Sequence, residues 1–181
     1  EQLTRRTNRD LTLPAGLSAT ALMELRKNPA GFAERLARRM PREPKRSARL
    51  GERFHEWVME RFSLSPGFDE LDFRVHAEEP GLERLKRAFE ASQFANRTPL
   101  GIEVPFLLCW ESLVLRGRID AVFPSDDPAF DALVIDWKIG DTDADPLQLA
   151  IYRQAWAEAH GLEPERVATA FYHVLANRLE P

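Results

Sequence analysis

The 181-residue chain is 44% hydrophobic and 30% charged, the balance of a soluble globular domain with a single core. Its one cysteine, Cys109, excludes an intramolecular disulfide framework and any multi-cysteine zinc or iron–sulfur site built from this chain alone. The net charge of −4 argues against nucleic acid, yet it hides two opposed blocks: residues 1–55 carry 13 Lys/Arg against 6 Asp/Glu, and the remaining 126 carry 12 against 23.

In chain order, Ser18 is placed to cap a helix over Ala19–Lys27, which Pro29 interrupts. The stretch GFAERLARRM sets Phe32, Leu36 and Met40 four apart among arginines, and Pro41 and Pro44 break it. Ser47 heads a third helix, ARLGERFHEWVMERF, with Leu50, Phe54, Val58 and Phe62 along one apolar stripe. Pro66-Gly67 marks a turn. A fourth helix is expected over 82–94, with Leu82, Leu85 and Phe89 inward.

The pattern then changes. GIEVPFLLCW and SLVLRGRIDAVF read as two strands joined by a polar turn around Glu111-Ser112, with Cys109 packed in the core. ALVIDWKI is a third strand, apolar enough for a buried place in a sheet. Asp145 and Pro146 open a helix that runs to about residue 159 and is closed by Gly161, and VATAFYHVL is a fourth strand. The expected architecture is α/β (α+β): one domain over 1–181, with a mainly helical, basic part (1–97) ahead of a β-β-β-α-β core (98–181). The mixed sheet should hold about four or five strands flanked by helices.

No apolar run approaches the roughly 20 residues that a membrane-spanning helix needs, and the first residues hold no signal-like apolar region. A cytoplasmic location without membrane contact is therefore expected. The missing initiating methionine points to a fragment of a longer polypeptide. In that setting the sequon Asn96-Arg97-Thr98 carries no meaning.

The chemistry begins at VIDWKIG. In a strand, residues i and i+2 share a face, so Asp136 and Lys138 project together and Trp137 points the other way. Alone, this spacing reads equally as a surface ion pair worth under about 1 kcal/mol. Asp120 ends the neighbouring run GRID. If the two strands are adjacent, Asp120 and Asp136 converge, and a hard divalent cation relieves their repulsion. Lys138 beside them can orient an attacking water or stabilise developing negative charge, which together is equipment for phosphodiester hydrolysis.

Gln148 and Tyr152, at i and i+4, share one face of the following helix. His55 borders the apolar stripe of the third helix, either as a satisfied boundary residue or as a metal ligand. His76, His160 and His173 lack ligand-like partners, and Trp57, Trp110, Trp137 and Trp156 read as core aromatics. The basic block is either a solvated helix face or an arm for a polyanion. No phosphate-binding loop of the GxxxxGK[ST] type is present, so any helicase motor lies outside this chain.

The series GERFHEWV, GIEVPF, GRIDAVF, VIDWKIG and QLAIY resembles the RecB-type nucleases of the PD-(D/E)XK superfamily, the nuclease domains attached to bacterial recombination helicases, with relatives among CRISPR-associated exonucleases. The likeness covers about residues 18–175. It implies a metal-dependent DNA nuclease, an exonuclease of repair and recombination, using Mg²⁺ or Mn²⁺ and no iron–sulfur cluster. The partners it implies are DNA, single-stranded or with free ends, and a helicase motor in the same polypeptide or complex.

By the same resemblance, Asp120 and Asp136 are metal carboxylates, Lys138 is the catalytic lysine, and His55 and the Trp137 backbone carbonyl are further ligands. Gln148 and Tyr152 match the family's Q-x-x-x-Y motif. Glu103 matches a recurrent acidic position but reads equally as an exposed charge before Pro105. Arg38, Arg39, Arg42, Lys45, Arg46 and Arg49, with Arg35 and Arg53, would hold the DNA backbone. Ile139 departs from the threonine the family usually places after its lysine. The competing reading is a catalytically inactive DNA-binding or scaffolding domain on the same fold.

Overall fold

The strand-forming runs assemble into one six-stranded mixed sheet; the computed structural model of the chain describes residues 13–37, 46–63, 79–110, 113–140 and 144–181. The elements are β1 (Gly16–Ser18), α1 (Ala19–Lys27), α2 (Pro29–Ala37), α3 (Arg46–Ser63), α4 (Pro80–Glu90), β2 (Gly101–Trp110), β3 (Leu113–Pro124), β4 (Ala132–Lys138), α5 (Pro146–His160), β5 (Val167–His173) and β6 (Arg178–Glu180).

Local chemistry sets most of the boundaries. The Ser18 hydroxyl accepts the Ala21 N–H at 3.0 Å and starts α1. Asn28 ends that helix, and its side-chain oxygen accepts the Gly31 N–H at 2.9 Å, so it also caps the next one. Pro29, expected only to interrupt, therefore stands at the first position of α2, where its missing N–H costs nothing. Asp145 caps α5 through the Leu147 N–H at 3.1 Å, Pro146 follows it, and Gly161 closes the helix at φ 65°.

The sheet runs β1-β3-β4-β5-β6, with β2 also on β3. β2 lies antiparallel along one edge of β3. The other edge is shared: β1 pairs in parallel with Val114–Arg116, and β4 pairs antiparallel with residues 121–124. Between those two stretches, residues 117–120 of β3 have no strand on that edge among the described residues. Asp120 lies in this gap.

Helices cover both faces. On one, α1, α2 and α5 pack on Leu108, Leu115, Ile119, Val122 and Val134. On the other, Phe54 and Val58 of α3 and Leu82, Leu85 and Phe89 of α4 pack on Ala121, Phe123, Ile135, Trp137 and Tyr172. Trp137 sits inside an aromatic cage, with the rings of Phe89, Phe94, Phe123 and Tyr172 between 5.4 and 6.3 Å away, all near edge-to-face.

Several expectations are corrected. α4 stops at Glu90, not near residue 94, because the Ser92 hydroxyl takes the Phe94 N–H at 3.2 Å and turns the chain so that Phe94 enters the core. Cys109 is exposed: strand alternation gives the covered face to Leu108 and leaves Cys109 on the other. Trp110, 62% exposed at the end of β2, is not a core residue, and Trp57 is only half-buried. The last strand ends at His173, after which a single 3-10 turn and Asn177 at φ 48° lead into β6. α3 begins at Arg46, one residue before the expected cap. Met40, Pro41, Pro44, Pro66-Gly67, His76 and the Glu111-Ser112 turn lie outside the described residues.

Phe94→Ala should cost about 3–5 kcal/mol in denaturant unfolding, because it removes the buried ring packed against Phe123, Trp137 and Tyr172.

Candidate active site

Because β3 and β4 stop pairing at Ala121↔Ile135, the Trp137 N–H has no ladder partner on the β3 side. The Asp120 carboxylate takes its place: Oδ2 accepts the Trp137 N–H at 2.8 Å. The Trp137 carbonyl lies on the same edge of the strand as its N–H, toward Asp120. The two strands therefore splay around a pair of buried carboxylates, Asp120 at 8% and Asp136 at 3% exposure.

A second irregularity brings in Glu103. It would stand opposite Asp120 in the β2–β3 ladder, but pairing passes from Ile102↔Ala121 to Val104↔Ile119 without it. Glu103 adopts φ 50°, a conformation that costs a residue with a Cβ on the order of 1–2 kcal/mol. Alternation slips at this point. Ile102 and Ala121 pack against α3 and α4, whereas Val104 and Ile119 pack in the opposite layer. The Glu103 carboxylate is thereby aimed at α3, where its Oε1 lies 2.8 Å from Nδ1 of His55.

Two clusters result. In the first, His55, Glu103 and Asp120 offer ligand atoms all within 4.8 Å of one another, with His55 Nδ1 3.7 Å from Asp120 Oδ1. In the second, Lys138 Nζ lies 2.8 Å from Asp136 Oδ2 and donates to Gln148 Oε1 at 3.1 Å. The Gln148 amide donates to Asp136 Oδ1 at 2.6 Å and to the Tyr152 hydroxyl at 2.9 Å. Lys138 also sits over the Phe171 ring, 4.7 Å from its centre. Asp136 Oδ2 is buried and its charge is met by the Lys138 ammonium.

Burial dominates the electrostatics. It raises the Asp120 carboxyl to about 8, with the charge of Asp136 adding to the effect and those of His55 and the Trp137 N–H opposing it. Burial raises Asp136 too, against the pull of Lys138. Burial would lower His55, but the Glu103 hydrogen bond and the charges of Asp120, Glu103 and Asp136 outweigh it and leave the imidazole more basic than usual. Glu103 moves down despite its own burial, held by His55 and Arg118. The Tyr152 phenol is pushed up by burial and by Asp120 and Asp136, so it stays protonated.

The donor chemistry fits a hard divalent ion: two carboxylates and an imidazole converge, with the buried carboxylate of Asp136 close by. The sequence grouped His55 with Asp120 and Asp136; the tightest trio instead contains Glu103, while Asp136 is matched by Lys138 and Gln148. Arg118, which the sequence reading did not single out, reaches Glu103 at 3.5 Å; its one signal was its place in GRID, two residues before Asp120. Also missed was the tie from α1, where Arg26 reaches Asp145 at 3.3 Å and so braces the start of the helix that carries Gln148.

A groove of about 620 Å³ opens over the first cluster, lined by Thr20, Gly51, Glu52, His55, Glu103 and Arg118 among others. Ile139, half-buried, packs against α3 beside Gly51. Of the residues expected to hold DNA, Arg49 is exposed on α3 and Arg46 is its first residue; Arg53 pairs with Glu79 and Arg35 with Glu24. Arg38, Arg39, Arg42 and Lys45 lie outside the described residues.

No curated protein matches the chain. The sequence model of the PD-(D/E)XK nuclease superfamily does, over residues 16–181. That match spans nearly the whole chain and includes the mixed sheet with its D-x-K strand, so the chain belongs to the PD-(D/E)XK nuclease superfamily.

Proposed function

We propose that the chain is a Mg²⁺- or Mn²⁺-dependent deoxyribonuclease of the RecB type, an exonuclease that trims DNA with free ends during repair or recombination. In this reading it is one nuclease domain of a larger cytoplasmic assembly that includes a helicase motor. The observation that carries the reading is the abutment of the two clusters: a set of hard ligands on one side of Asp120, and a lysine held beside Asp136 on the other.

Asp120, Asp136 and the Trp137 carbonyl would hold the ion, with His55 and Glu103 completing its surroundings from α3 and β2. When bound, the ion supplies Lewis-acid activation of water and stabilisation of charge on the phosphoryl oxygens. Lys138 carries its ammonium to the same side of β4 as Asp136, where it can hold the attacking water in line with phosphorus and share the developing charge. Gln148 fixes both partners, one through each end of its amide. The neutral Tyr152 hydroxyl sets the orientation of Gln148 and, through its ring against Phe106, ties it to β2. By analogy with the family, the products would carry 5′-phosphate and 3′-hydroxyl ends.

Two outcomes test this reading. With Mn²⁺, linear single-stranded DNA should be degraded and closed circles spared. Asp136→Asn and Lys138→Ala should each lower the rate about 10²–10⁴-fold while leaving the fold intact by circular dichroism. Cleavage by both variants at the wild-type rate would contradict the assignment, and no cleavage by the wild-type protein would favour the inactive scaffold.

The second outcome concerns pH. A carboxyl raised in the folded state binds its proton more tightly there than in the unfolded chain. Asp120 therefore contributes stability at acid pH that is lost as pH rises from about 4 through about 8. A divalent ion must displace that proton, so the rise in Tm caused by Mn²⁺ should be larger at about pH 8.5 than at about pH 6. Asp120→Asn should reduce the pH dependence of that rise in calorimetry, leaving the part that comes from Asp136 and His55.

A further inference from the structure

The face of the sheet that α3 and α4 cover at Ile102, Ala121, Phe123 and β4 lies open farther out, over Pro105–Leu107 of β2 and Arg116–Arg118 of β3. On β3, Leu115 and Ile119 are buried in the opposite layer, so Arg116 and Arg118 project on this open side. Cross-strand partners share a face, and opposite them stand Leu107 and Pro105 of β2. All four are exposed, Leu107 by 72%. Among the described residues no helix packs on them, and Arg116 makes no ion pair there.

This surface is continuous with the candidate active site. Arg118 lines the groove over His55 and Glu103, and Arg116 is the next residue outward on the same face of the strand. Residues two apart on a strand are about 6.6–6.8 Å apart, close to the repeat of successive phosphates along an extended nucleic acid strand. The two guanidiniums thus form a row leading away from the gap in which Asp120 sits, with an apolar strip of Pro105 and Leu107 alongside. A leucine left so exposed beside unpaired positive charge fits a ligand that is anionic along one edge and apolar along the other.

We propose that the open β2–β3 face is the track on which one single strand of DNA lies as it enters or leaves the site, with Arg118 and Arg116 holding successive phosphates and Leu107 lying against the bases. The proposal rests on the nuclease reading and extends it to the form of the substrate. A duplex presents sugars and phosphates to a flat surface and keeps its bases stacked inside, so it would leave Leu107 without a partner. A single strand exposes both edges.

The test is binding of a fluorescent 20-nucleotide single strand, and of a duplex of the same length, by anisotropy in EDTA at several salt concentrations, alongside Mn²⁺-dependent cleavage. Arg116→Ala should weaken single-strand affinity about tenfold and reduce the slope of log affinity against log salt by about 0.7, the share of one phosphate contact. Arg116→Lys should recover most of both, since a point charge suffices for a phosphate. Leu107→Ser should weaken the single strand severalfold without altering the salt slope, and duplex binding should change little in any variant.

The track is overturned if wild-type protein cleaves DNA while Arg116→Ala keeps the wild-type affinity and salt slope, a result that leaves the nuclease reading standing. It is also overturned if Leu107→Ser instead changes the oligomeric state in light scattering, which would make the face a protein interface. Absence of both binding and cleavage in wild-type protein would overturn the nuclease reading and the track together.

Discussion

Two carboxylates buried side by side, Asp120 and Asp136, impose most of the local structure around them. An isolated buried charge costs several kcal/mol, and two of like sign cannot both ionise cheaply. Each therefore has its own compensation. Asp120 has a backbone N–H and a nearby imidazole; Asp136 has an ammonium and a side-chain amide. These partners come from three different elements, β4, α3 and α5, so the sheet and both helices must be in place before both carboxylates are satisfied. The same charges drive His55 toward its protonated form and keep the Tyr152 hydroxyl neutral.

The scaffold accepts irregularity to make this possible. β3 pairs with β2 along its length except at Glu103 and Asp120, and it surrenders its other edge to two different strands, which leaves a gap for Asp120. Glu103 takes a left-handed conformation inside a strand, and neighbouring residues change layers around it. Rigidity returns through the aromatic cage that grips Trp137, the residue between Asp136 and Lys138. A buried indole surrounded by four rings has little freedom to rotate, so the peptide that carries both functional side chains is held from behind.

Much of this was legible in the sequence because periodicity carries it. The D-x-K spacing in an apolar run placed Asp136 and Lys138 on the side away from Trp137, and the i,i+4 pair Gln148/Tyr152 faced the same space. The stripe Leu50, Phe54, Val58 and Phe62 set the inward face of α3. What escaped depends on long-range or non-periodic features. β1 and β6 have three residues each, too short to show alternation. The Ser92 turn that ends α4 is a local side-chain bond that competes with an unbroken helical pattern. Glu103 read equally as an acidic site position and as an exposed charge, because nothing in GIEVPF announces a positive φ. Cys109 and Trp110 looked like core because an apolar run on an edge strand resembles one in the centre; only pairing shows that, among the described residues, β2 has a neighbour on one side.

The distribution of charge gains a physical sense from the same geometry. Acidic groups concentrate in the gap where a cation would be held, and Arg116 and Arg118 continue outward from it along β3. A crystal soaked in Mn²⁺ and measured at the manganese absorption edge tests the central arrangement most directly. The expected result is anomalous density between Asp120 and Asp136, within bonding distance of a carboxylate oxygen from each, with Lys138 displaced from Asp136 but still bonded to Gln148. Density confined to other parts of the surface, with the Asp136–Lys138 pair unchanged, would contradict it.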